Sequence, residues 1–96
     1  MQLLGYWVID PTDDQALAEF GNVSLSFKEN GELLYTITSA AKDEIIRLRY
    51  VVEGSTLITD QPSHPSVERT EYSISSNGTL TLAIGGKLSR FIRHAK

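Results

Sequence analysis

The chain has 96 residues, 41% hydrophobic and 22% charged, with a formal net charge of −3 and no cysteine. That length fits one domain over residues 1–96. The missing thiols exclude disulfides, a cysteine nucleophile and cysteine zinc sites. The mild acidity argues against a nucleic-acid binder, which carries a basic excess.

The first segment, Met1 to Ile9, is apolar, lacks a basic leader and stops at Asp10. It is too short for a transmembrane helix and poor as a signal peptide, so a cytoplasmic location without membrane contact is expected. Residues 4–9 read as a first strand. Residues 10–20 then read as a short helix. Asp10 suits its cap, Pro11 its first position, and Asp13 and Asp14 the positive end of its dipole. Ala16, Leu17 and Phe20 give it one apolar edge, and Gly21 suits its C-terminal end. Such a helix should plug an open end of a sheet.

The rest of the chain alternates with period two. Val23, Leu25 and Phe27 share one face, Ile46, Leu48, Tyr50 and Val52 another, and Leu80, Leu82 and Ile84 a third. Strands are expected over 22–28, 33–39, 44–53, 56–60, 67–75, 79–84 and 87–93. Asn30–Gly31, Asn77–Gly78 and Gly85–Gly86 fall between them as two-residue turns with positive φ. Glu53–Gly54–Ser55 and Ser39–Lys42 supply the remaining hairpins.

Eight short strands joined by tight turns form an antiparallel up-and-down meander. Closing it into a small barrel hides its edges. Closure pairs the first strand with the last, and the charges agree. Residues 1–20 carry Asp10, Asp13, Asp14 and Glu19 without a base, whereas residues 87–96 carry Lys87, Arg90, Arg93 and Lys96 without an acid.

Leu4-Gly5-Tyr6-Trp7 opens the first strand as Leu-Gly-x-Trp, and Arg90-Phe91-Ile92-Arg93 closes the last. This pattern resembles the small lipocalin-like (calycin) domains, as do the repeated Asn-Gly-x-Leu runs at Asn30 and Asn77. The resemblance implies a tryptophan inside one barrel end against an arginine of the final strand. The chain is far shorter than true lipocalins. From physical chemistry alone, a buried Trp7 needs a partner for its N–H, and a guanidinium stacks well on an indole. Either Arg90 or Arg93 could be the inward one. Arg93, on the face of Phe91, is favoured.

No chemistry-bearing cluster emerges. His64 lies in the Pro62–Pro65 loop and could rim a barrel mouth, but no second histidine stands at ligand spacing, and His94 belongs to a basic tail. Asp10, Asp13 and Asp14 lack the spaced ligands of a calcium loop. Glu68 and Glu71 fall on opposite faces of one strand. Gly85-Gly86-Lys87 lacks the glycine spacing and helix of a phosphate loop. Arg47 and Arg49 form an exposed stripe that could bind an anion. No catalytic residue, metal or cofactor is implied, and an enzyme is not expected.

Two functional readings stay open. In one, the barrel binds a small apolar or amphipathic ligand lined by Trp7, Phe27, Tyr35, Tyr50, Tyr72 and Arg93. In the other, the core is filled and the domain is a non-enzymatic interaction or structural module. That module could form a homodimer through Leu34, Ile45, Val51 and Ile58 or through an unclosed edge. An eight-stranded barrel is just wide enough to be filled by side chains or to hold one small ligand.

Overall fold

The structure, a computed structural model, describes residues 3–39, 41–63, 65–84 and 86–94. His64 and Gly85 lie outside the described residues. The chain runs β1 (Gly5–Ile9), α1 (Asp14–Phe20), β2 (Asn22–Phe27), β3 (Glu32–Thr38), β4 (Asp43–Glu53), β5 (Thr56–Asp60), β6 (Val67–Ile74), β7 (Thr79–Ile84) and β8 (Lys87–Arg93). Each strand pairs antiparallel with the next, and β1 closes on β8 through Trp7–Arg93, Val8–Ile92 and Ile9–Phe91, completing a barrel.

The turns keep their glycines but not the expected conformation. Among the described residues no non-glycine has positive φ, so Asn30 and Asn77 do not enter a two-residue primed turn. Instead Gly31 N–H bonds to Lys28 O and Lys28 N–H to Glu32 O, with the same pattern at Ser75, Gly78 and Thr79. Each is a three-residue loop whose glycine alone takes the left-handed position, at φ +87°. The asparagine side chains act elsewhere: Asn30 Oδ1 accepts from Glu32 N–H and Asn77 Oδ1 from Thr79 N–H.

The helix is shorter than the sequence suggests. Asp13 is its cap, accepting Ala16 N–H at 3.2 Å. Asp10 instead holds the preceding turn through Thr12 N–H and Oγ1, which leaves Pro11 outside the helix. Asp13 wins the cap because its second oxygen also accepts Arg90 N–H at 3.0 Å. One carboxylate thus ties α1 to β8. Lys87 reaches Glu19 at 2.7 Å and Arg90 lies 3.6 Å from Asp13, so the opposite charges of the two chain ends do meet.

One part of the core gathers where β1 begins. Leu3, Trp7, Leu80 and Phe91 are fully buried there with Leu25, Phe27, Leu33 and Leu57. At the other end α1 inserts Ala16, with Leu17 and Phe20 packed alongside. No helix among the described residues is long and apolar enough to cross a membrane.

Candidate functional site

Of the aromatic and basic residues that the sequence nominates for a ligand, most pack against one another or against backbone. Trp7 is fully buried and donates Nε1–H to Leu3 O at 2.9 Å. Arg93 lies over its ring, with Cζ 4.2 Å from the centroid, and donates Nη1–H to Leu4 O at 2.6 Å. Phe27 and Tyr50 meet edge to face at 5.1 Å, and the Tyr50 hydroxyl donates to Lys28 O at 2.8 Å. Tyr72 donates to Gly54 O at 3.3 Å. These five side chains close and line one end of the barrel.

Tyr35 is different. It faces inward from β3, between Leu25 and Ile46, yet stays half-buried. Its hydroxyl has no hydrogen-bond partner among the described residues, and burial pushes its phenol above the ordinary tyrosine value. The inward residues around it share this partial exposure: Ile37, Leu48 and Ile84 pack against the core without being sealed by it, and Ile46 is half-buried. The half-buried inward residues of β3 and β4 contrast with Ala16, Val23 and Ser89, which are buried at the end where α1 enters.

Strand pairing explains the asymmetry. β4 has 11 residues, but β5 has 5 and meets only the second half of β4, from Arg49–Asp60 to Glu53–Thr56. The first half, Asp43 to Leu48, pairs with β3 and with no other described strand. Antiparallel ladders alternate, so the backbone direction at each residue follows from one bond. Tyr50 N–H bonds to Gly31 O, which assigns the even-numbered residues of β4 to β3. The N–H and C=O groups of Asp43, Ile45 and Arg47 therefore point to the side that β5 has left. β6 departs in parallel, pairing with β7 only from Glu71 to Ile74. The tip of the β5–β6 hairpin thus flares away from both neighbours.

The gap is a groove of about 590 Å³, within the usual range of ligand pockets. One wall is the free edge of β4 with Asn30 and Glu32 beside it, and the other is Gln61, Pro62 and Ser63. Both faces of β4 contribute. Ile46 and Leu48 come from the inward face, whereas Ile45, Arg47 and Arg49 come from the outward face. The groove therefore runs along the edge of β4, bordered by residues of both its faces. Arg47 is held by Glu32 at 3.3 Å, whereas Arg49 forms no ion pair among the described residues. Ile45 is 55% exposed, an unusual state for an isoleucine.

On the outer sheet, Val51 is paired with Ile58, and Val67 lies beside them. The three line a shallow depression of about 120 Å³ with Arg49 and Asp60. Leu34, also on the outer face, is half-buried. Asp13 caps the helix, and among the described residues no group of three or more His, Asp or Glu side chains could hold a metal ion. Glu71 accepts from Ser55 and Thr56 hydroxyls on the surface.

Sequence reasoning placed Arg47 and Arg49 on an exposed stripe and Ile46 and Leu48 inside, but did not bring the four together. The available signal was length: the expected strand 44–53 is twice as long as its expected partner 56–60. No protein-family model matches the chain, and neither a curated protein nor a solved structure matches it.

Proposed function

We propose that this chain is a lipocalin-like binding domain that takes a small amphipathic ligand at the lateral groove and not at the barrel centre. The observation that carries the reading is the joint lining of one groove by Ile46 and Leu48 from inside and Arg47 and Arg49 from outside. An aliphatic portion would lie on Ile46 and Leu48, and an anionic group would face the Arg49 guanidinium. Burial of aliphatic surface stabilises such a complex by about 25 cal/mol per Å² before the cost of association. The guanidinium adds orientation through paired N–H donors. Phe27 and Tyr50 then pack together beyond the groove on the β4 side, Trp7 and Arg93 close the β1–β8 seam, and Tyr35 lies beside Ile46.

The test is an amide NMR titration with decanoate, an aliphatic chain with one carboxylate. Saturable shifts over residues 44–49 and at Gln61 and Ser63 are expected, weakened by Arg49→Glu and lost with Leu48→Asp. Shifts spread evenly over the surface would reject the reading.

A second reading, self-association, is supported by the contact of Val51 with Ile58 and the exposure of Val51 and Val67 at 57% and 65%. Sedimentation of the wild type and of Val51→Lys separates the two. A monomer at every concentration leaves only the ligand reading.

A further inference from the structure

The groove has a feature that a purely aliphatic ligand would waste. Its β4 wall presents the edge-directed N–H and C=O groups of three alternate residues, Asp43, Ile45 and Arg47, in extended conformation. None of them has a strand partner on that side among the described residues. Open ladder edges are templates for another strand, and natural sheets cover or blunt them. Here the blunting is incomplete. The edge carries charges at Asp43, Glu44 and Arg47 but leaves Ile45 and Ile46 between them.

We infer that the ligand of this groove is an extended polypeptide segment of a partner protein, which adds to β4 as a strand. This rests on the binding reading above and narrows its ligand class. Backbone bonds to the three free residues would supply affinity, and alternate side chains would supply specificity. The pattern follows from the pleat. Opposite Arg47, on the outer face, the partner carries a carboxylate, which the unpaired Arg49 next along that face also attracts. Opposite Ile45 it carries an aliphatic residue. On the inner face an aliphatic residue lies opposite Ile46, and a polar one lies opposite Glu44. Five residues at about 3.4 Å each span the free edge.

The probe is acetyl-Glu-Val-Val-Thr-Lys-amide, written to run antiparallel with its glutamate opposite Arg47. Two backbone-methylated forms accompany it. In the first, the methyl replaces the amide hydrogen of the central valine, opposite Ile45, which must donate to β4. In the second, it replaces that of the first valine, opposite Ile46, which points away. Decanoate is the amide-free control. Each is titrated into the whole protein and followed by amide shifts and hydrogen exchange. The parent and second forms should bind, slow exchange at the Ile45 and Arg47 amides, and bind more weakly to Arg47→Glu. The first form should lose about tenfold in affinity, the worth of one hydrogen bond.

Equal binding of both methylated forms, or binding of decanoate without the peptide, overturns the strand inference and leaves the groove reading standing. Failure of both peptide and decanoate overturns both. A concentration-dependent dimer that protects the same amides and excludes the peptide names a second copy of the chain as the occupant, and overturns the partner assigned here.

Discussion

A Cβ atom on Gly5 would lie 2.7 Å from Nη1 of Arg93. The guanidinium could yield only by giving up its place over the Trp7 ring and its bond to Leu4 O. Gly5 also has φ +120°, a conformation that side chains rarely adopt. The Gly-x-Trp pattern of β1 and the arginine of β8 are therefore one device. The glycine vacates the space, the arginine fills it, and the indole is covered where the first and last strands meet.

Gly5→Ala should destabilise the fold by about 1–3 kcal/mol from backbone strain and lost space. Urea unfolding followed by Trp7 fluorescence reads this as a lower midpoint at unchanged slope. In an Arg93→Ala background part of the cost should vanish, because the atom that the new methyl meets is gone. Full additivity of the two substitutions would separate Gly5 from Arg93.

Ser89 is 1% exposed, and its Oγ is the buried side-chain polar atom without a partner among the described residues. It faces the interior opposite Leu82. Removing an unsatisfied buried hydroxyl relieves a desolvation cost, so Ser89→Ala should be neutral or stabilise by up to about 1 kcal/mol. A marked loss in the denaturation midpoint would contradict this and reveal a bond to an ordered water.

Asp13 is held below the ordinary carboxylate range, first by Arg90 N–H and then by Ala16 N–H. A depressed folded pKa contributes stability that is present above the unfolded value and disappears as pH falls through the folded one. Acid should therefore loosen the α1–β8 link below about pH 4. Asp13→Asn should be less stable at neutral pH and less sensitive to that acid drop. Identical acid profiles for the two proteins would show that Asp13 is not responsible.

Two apolar residues of β8 give a sharp packing contrast. Phe91 is 1% exposed and Leu88 is 67% exposed. Phe91→Ala should cost about 3–5 kcal/mol through lost burial and a cavity. Leu88→Ala should stay within about 0.5 kcal/mol of the wild type. Chemical denaturation of both variants checks this directly.

Much of the fold was legible because period-two alternation of residue type marks several strands, with Leu80 and Leu82 of β7 buried between less buried neighbours. Where the pattern is written in side chains, as in Val23-Ser24-Leu25-Ser26-Phe27, one face can only turn inward. Closure was legible through the acids before residue 20 and the bases after residue 86, which meet as Glu19–Lys87 and Asp13–Arg90. The cap was not. Asp10 and Asp13 are chemically alike, and only the arrival of Arg90 N–H from β8 decides between them. The Asn-Gly turns had a similar limit, since the dipeptide permits two loop lengths and the register of the flanking strands selects one. The groove was the least legible feature. Ile46 and Arg47 occupy opposite faces of one strand, and they share a surface only because β5 ends before reaching them. That is a fact of pairing, which no single strand encodes.

The open wall along the first half of β4 is the claim on which the groove, its ligand and its partner strand all depend. Hydrogen exchange resolved at single amides tests it most directly. The amides of Glu44, Ile46 and Leu48 should exchange slowly, since they bond to β3, while those of Ile45 and Arg47 exchange fast. Uniform protection from residue 44 to residue 48 in the isolated monomer would mean that the wall is closed there, and would contradict the account.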